Sequence, residues 1–98
     1  MAAYAIVDII AVTDPALMEE YRKVVAATVT KYGGRFIVRG GTHEVVEGDW
    51  KPTRLVVLEF PSMEEAKRWY GSEEYREPLA KRLKASRASF VFVDGVQP

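Results

Sequence analysis

Ninety-eight residues, 48% of them hydrophobic, suffice for one small domain, read as spanning 1–98, whose limited interior would gain from association. Fourteen Lys and Arg offset fourteen Asp and Glu, which speaks against a nucleic-acid partner, since such proteins carry a basic face, and leaves little repulsion against self-association. With no cysteine, disulfides, thiolate metal sites and a cysteine nucleophile are excluded.

The N-terminal segment MAAYAIVDIIAV lacks the basic leader and cleavage pattern of a signal peptide, and Asp8 interrupts it. No apolar run approaches the roughly 18 residues of a membrane-spanning helix. A cytoplasmic protein without membrane association is therefore expected. Residues 3–12 are rich in Ile and Val and predict a strand that is largely apolar on both faces. Asp14 followed by Pro15 has the pattern of an N-cap with proline at the first helical position. The spacing of Leu17, Tyr21, Val24, Val25, Thr28 and Tyr32 then predicts a helix with one buried stripe. Gly33 is the expected stop, because it tolerates the left-handed conformation.

Arg35–Arg39 predicts a second strand, and residues 43–48 a return strand or extended arm, paired within the subunit or across to a partner. TRLVVLEF (53–60) is a further β-branched run, apolar on both faces. Ser62-Met63-Glu64-Glu65 matches a capping box and opens a helix with Ala66, Trp69 and Tyr70 on its inner side. Ser72 caps a second segment that Pro78, lacking a backbone donor, should bend or restart. Leu79 and Leu83 continue the apolar side towards a last strand, SFVFVDG (89–95). The order βαββαβ predicts an α+β, ferredoxin-like domain, an antiparallel sheet with both helices on one face. Helices on one side leave the other apolar face uncovered, so a second copy packed sheet to sheet is expected.

Taken together, YGGRFIVRGG, HEVVEGDWKPTRLVVLEFPS, EEAKRWYGSEEY and the closing VDG resemble the domain-of-unknown-function family 1330 over nearly the whole chain. The resemblance implies a dimeric α+β barrel, in which two ferredoxin-like subunits join through their sheets. It carries no assigned reaction. The wider superfamily holds cofactor-free monooxygenases, isomerase-like enzymes and haem-handling proteins, a fold-level analogy only.

Candidate chemistry is sparse. His43 is the one histidine and so the one weak candidate for acid–base catalysis, with Glu44 or Glu59 to orient it; the simpler reading is an exposed hairpin residue. One histidine among scattered carboxylates makes no metal cluster, and no cofactor is implied. Arg39 and Arg54 flank strands amid apolar neighbours. Each needs either a carboxylate, with Glu47, Glu59 and Asp8 in reach and an ion pair the simpler reading, or an anionic ligand. Trp50, Trp69, Tyr70 and Tyr75 could wall a pocket between helices and sheet, suited to a small planar acid or a phenol. Trp69 reads more simply as core, and Trp50 and Tyr75 as better pocket residues. Both glycine pairs of YGGRFIVRGG read as a helix stop and a hairpin turn, since a phosphate loop would lead from a strand into a helix N-terminus. Two functions fit: a dimer that binds a small anionic or aromatic molecule, as a plain binder or a cofactor-free enzyme, or a non-catalytic structural, sensing or protein-interaction dimer.

Overall fold

The β-branched strands and the capped helices between them build one sheet covered on one side. The computed structural model describes residues 1–96. Its elements are β1 (Ala3–Val12), α1 (Pro15–Lys31), β2 (Arg35–Arg39), β3 (Leu55–Phe60), α2 (Met63–Tyr70), α3 (Glu73–Ala85) and β4 (Ser86–Asp94). The strands form an antiparallel sheet in the order β2-β3-β1-β4. This is a ferredoxin-like α+β fold, with its second helix in two pieces.

Helix boundaries follow local chemistry. The Asp14 carboxylate accepts from the Leu17 N–H at 3.1 Å, and Ser62 and Ser72 accept from the N–H groups of Glu65 and Tyr75. Each side chain satisfies a donor that the first turn leaves open. Gly33 follows α1 with φ 77°, the left-handed residue that ends the helix. α3 runs unbroken through Pro78, where a bend or restart was expected. Proline removes the ladder bond to Glu74, in the first turn, and the ring itself is buried.

The core lies between the helices and one sheet face. Ala3, Ala5, Val7 and Ile9 of β1, Leu58 and Phe60 of β3, and Met18, Tyr21, Val25 and Val29 of α1 are buried there with Trp69 and Tyr75. Two expected stripe residues lie outside it: Val24 and Leu83 are exposed, so the buried faces of α1 and α3 turn away from them, towards Met18 and Val29 on α1 and Pro78 and Arg82 on α3. Trp69 organises the core. Its indole donates to Thr28 at 3.0 Å, and its ring stands 4.1 Å from that of Tyr75 and 5.3 Å from that of Phe60.

The other sheet face carries Tyr4, Ile6, Leu55, Val57, Val91 and Val93, with the two β4 valines 55% and 44% exposed. Residues 43–48 add no strand to it. They belong to an irregular loop joining β2 to β3 and make no ladder in this chain. Asp8 anchors the end of that loop: its carboxylate accepts from the Thr53 N–H (3.0 Å), the Arg54 N–H (3.3 Å) and the Trp50 indole (3.2 Å). Burial alone would push the Asp8 carboxyl up. The three donors outweigh it and hold it below the usual carboxylate range.

Candidate functional site

Strict alternation along β2 would put Arg35, Ile37 and Arg39 on one face. A β-bulge between Phe36 and Val38 breaks that register. Arg35 pairs with Glu59, on the open face, whereas Arg39 pairs with Val56, whose side chain packs against the core on the helix face. One extra residue has re-aimed Arg39 towards the interior, a common use of bulges. Arg54 stands two residues before Val56 and therefore on the same side of the sheet.

Arg39 and Arg54 meet two more arginines there. Arg22 and Arg82 line the same cavity, between the helix face of the sheet and helices α1 and α3, with Tyr21, Phe36, Trp69 and Phe90 among its walls. Its free volume is about 50 Å³, enough for several waters or a compact ligand group. No carboxylate and no histidine line it among the described residues.

Arg82 is the decisive member. It is 4% exposed, yet no carboxylate stands within ion-pair distance of it among the described residues, nor of Arg39 or Arg54. The carboxylates expected to pair with them are otherwise engaged. Glu59 binds Arg35 and Tyr4, and Asp8 holds the loop. Arg82 donates from Nε to the Tyr75 hydroxyl at a long 3.4 Å, and its guanidinium lies 5.4 Å from the Phe90 ring centre. No buried side-chain nitrogen or oxygen lacks a hydrogen-bond partner among the described residues. The Arg82 guanidinium also lies beside the Tyr21 hydroxyl, and Arg82 is one of the residues that line the cavity.

Tyr75 passes the polarisation on. Its hydroxyl is 2.8 Å from that of Tyr21. An arginine Nε–H can only donate, so the Tyr75 oxygen accepts it, while either phenol can donate to the other. Tyr21 in turn lines the cavity. Burial raises both phenols, Tyr21 far above its usual range, so both remain donors at neutral pH and neither serves as a base.

Gly40 keeps the rim open. It follows β2 with φ 75°, and its N–H donates across to the Leu55 carbonyl at 2.8 Å, where a long irregular loop takes the place of the expected hairpin turn. A Cβ there would collide with the Arg54 guanidinium. Arg39 lies above, its guanidinium 4.1 Å over the Phe36 ring.

The other predicted site residues are placed differently. Trp69 is at once core and cavity wall. Trp50 does not wall this cavity: its bond to Asp8 holds it in the β2–β3 loop, where it lines a separate groove of about 230 Å³ with His43, Glu44, Val46 and Pro52. His43 is exposed there, and its Nε2 meets the Pro52 carbonyl at 2.8 Å rather than Glu44 or Glu59. Tyr75, expected in a less regular segment, is fully buried in α3 and acts behind Tyr21 instead of lining the cavity. Tyr70 packs against Phe90 and Phe92 at the β4 end. The described residues contain no group of three or more His, Cys, Asp or Glu able to hold a metal ion, and no helix long and apolar enough to cross a membrane.

A family model for a domain of unknown function, DUF1330, matches residues 2–96. The chain belongs to this family. A search of curated proteins gives no match, and the similar solved structures show the fold. A DUF1330-like architecture recurs in a protein of unknown function from Rhodopseudomonas palustris, with TM-score 0.73 at 14% identity, over 99% of this chain and 85% of that one. It recurs in a proposed antibiotic biosynthesis monooxygenase from Caulobacter crescentus (TM-score 0.62, 19% identity, 98% and 91% covered). A second such protein, from Nitrosomonas europaea, gives 0.56 at 13% identity, with 99% and 92% covered.

Sequence reasoning missed Arg82, Arg22 and Tyr21 as cavity residues. Tyr21 was visible as a member of the α1 stripe. Arg82 carried one signal: it falls on the Tyr75, Pro78 and Ala85 face of α3, where a charged residue between apolar neighbours at helical spacing is out of pattern.

Proposed function

We propose that this DUF1330 protein binds a small organic anion in the cavity between sheet and helices. The buried Arg82 carries the proposal. A guanidinium so nearly removed from water, without a carboxylate, is costly to keep unless an anion completes it. Arg39 and Arg54, equally without carboxylates, add attraction at the rim. The apolar and aromatic walls suit a ligand with a hydrocarbon or aromatic body.

The same groups bound the chemistry. Guanidinium and phenol donors stabilise negative charge on an oxygen, as anion binding or the electrophilic half of a cofactor-free reaction requires. The cavity offers no base to abstract a proton, which favours binding over proton-transfer catalysis. The apolar open face supports the further reading that two copies pair through it.

Thermal denaturation with small aromatic and keto acids, each beside its neutral methyl ester, tests the proposal. A bound acid at about 100 times its Kd stabilises by about 2.7 kcal/mol, or roughly 10–20 °C for a domain of this size, while its ester leaves the midpoint unmoved. Equal responses to acids and esters, or none to any acid, would refute it.

A further inference from the structure

The cavity has two cationic ends, not one. Across the sheet, Arg39 pairs with Val56, Val56 with Val7, and Val7 with Phe90. Arg39 thus stands at one end of a transverse row, and Arg82, over Phe90, at the other. Neighbouring strands are about 4.8 Å apart, so the row spans roughly 14 Å from β2 to β4. The two ends also differ in depth. Arg82 and Tyr21 are 4% and 9% exposed, whereas Arg39 is exposed and Arg54 half-buried at the mouth. Between them the floor is Val56 and Val7, with Phe36 and Trp69 alongside.

Resting on the anion-binding reading, we infer that the ligand is a short organic diacid, or an acid bearing a second oxygen acceptor. One oxygen group sits deep against Arg82 and Tyr21, and the other at the mouth against Arg39 and Arg54. A backbone row that long gives the two ends room to hold separate oxygen groups. The deep end is rich in donors, the Arg82 guanidinium and the Tyr21 hydroxyl beside it. An ammonium group would set donor against donor and charge against charge there, whereas a carboxylate or ketone oxygen accepts, and the carboxylate also balances the guanidinium charge. At the mouth, Gly40 leaves room for the Arg54 guanidinium against the backbone, and Arg39 lines the same cavity, two groups of the kind that bind carboxylates well. The apolar floor selects a hydrocarbon link over a hydroxylated one, since each buried hydroxyl would go without a partner.

Crystals soaked in bromide separate this proposal from the reading beneath it. Two bromide positions are expected in the anomalous map, one beside Arg82 and Tyr21 and one beside Arg39 and Arg54. Bromide at one end alone overturns the two-ended ligand and leaves simple anion binding standing; bromide at neither end overturns both. Calorimetry with straight-chain dicarboxylates from succinate to suberate, each against the monocarboxylate of equal length, measures the same point in solution. The best diacid should bind at least about tenfold more tightly than its monoacid, and the Arg39→Ala/Arg54→Ala double variant should erase that advantage. Tyr21→Phe should weaken monoacid and diacid alike by several-fold, and if it does not fold the wild-type comparison decides. Monoacids that match diacids at every length would overturn the proposal.

Discussion

Replacing Arg82 by methionine asks whether the buried guanidinium serves the fold or a ligand. Breaking a true buried ion pair costs about 3–5 kcal/mol, but Arg82 has no such partner among the described residues. What Arg82→Met removes is one long hydrogen bond to Tyr75, 3.4 Å, and a cation–π contact with Phe90 at 5.4 Å. These are worth about 1 kcal/mol and about 0.5–1 kcal/mol respectively. Against them stands relief from burying a charge, several kcal/mol per ion in real proteins, and methionine fills much of the same volume with apolar, adaptable contacts. The balance lies between zero and about 2 kcal/mol in favour of the variant. At about 4–8 °C per kcal/mol for a chain of this size, the melting midpoint in anion-poor buffer should stay level or rise by up to roughly 15 °C. The stabilisation that acids confer on the wild type should vanish. Thermal denaturation by circular dichroism, with and without the acid, reads both. A ligand-free loss of more than about 3 kcal/mol would show that the arginine holds the fold together, and a retained acid response would show that it does not touch the ligand.

Three further outcomes are expected. Asp8, whose carboxyl is lower in the folded chain, contributes stability that is complete above its unfolded value of about 3.9 and lost as pH falls through the folded one; Asp8→Asn should lower neutral-pH stability by about 1–2 kcal/mol and flatten the acid limb followed by Trp50 fluorescence, and an unchanged limb would assign it to another group. Gly40→Ala should cost about 1–2 kcal/mol from its left-handed backbone and weaken acid binding by displacing Arg54, while Gly41→Ala, with open space around it, should change neither in the same melting and calorimetric assays. If a second copy covers the open face, light scattering should find a dimer, and Val91→Lys/Val93→Lys should give a folded monomer; a wild-type monomer at micromolar concentration would refute that pairing.

Much of the fold is legible in local chemistry. Asp14-Pro15, Ser62, Ser72 and Gly33 mark helix ends because capping depends on a few neighbouring residues, and the strands declare themselves through β-branched runs. Residues 43–48 form no strand within this chain, although Val45 and Val46 carry β propensity, because the end of the loop is held by distant bonds to Asp8. The site is less legible. Arg39 and Arg54 stand out as charges at strand ends, but only the bulge at Phe36–Val38 turns Arg39 inward, and bulges depend on cross-strand register. Arg82 looks like one more basic residue in a charged helix until the packing of α3 on α1 buries it. Trp50 and Tyr75 exchanged their expected roles for the same reason, one claimed by Asp8 forty-two positions away, the other by Tyr21.

The proposal that the cavity binds an anion is tested most directly by the arginine Nε–Hε resonances of ¹⁵N-labelled protein during titration with small carboxylates. The Arg82 resonance should shift saturably, with those of Arg39 and Arg54 following at the same midpoint, while Arg76, exposed and paired with Glu73, stays in place. An Arg82 resonance unmoved by every acid, or arginines that all drift linearly with added salt, would mean that the cavity binds no anion.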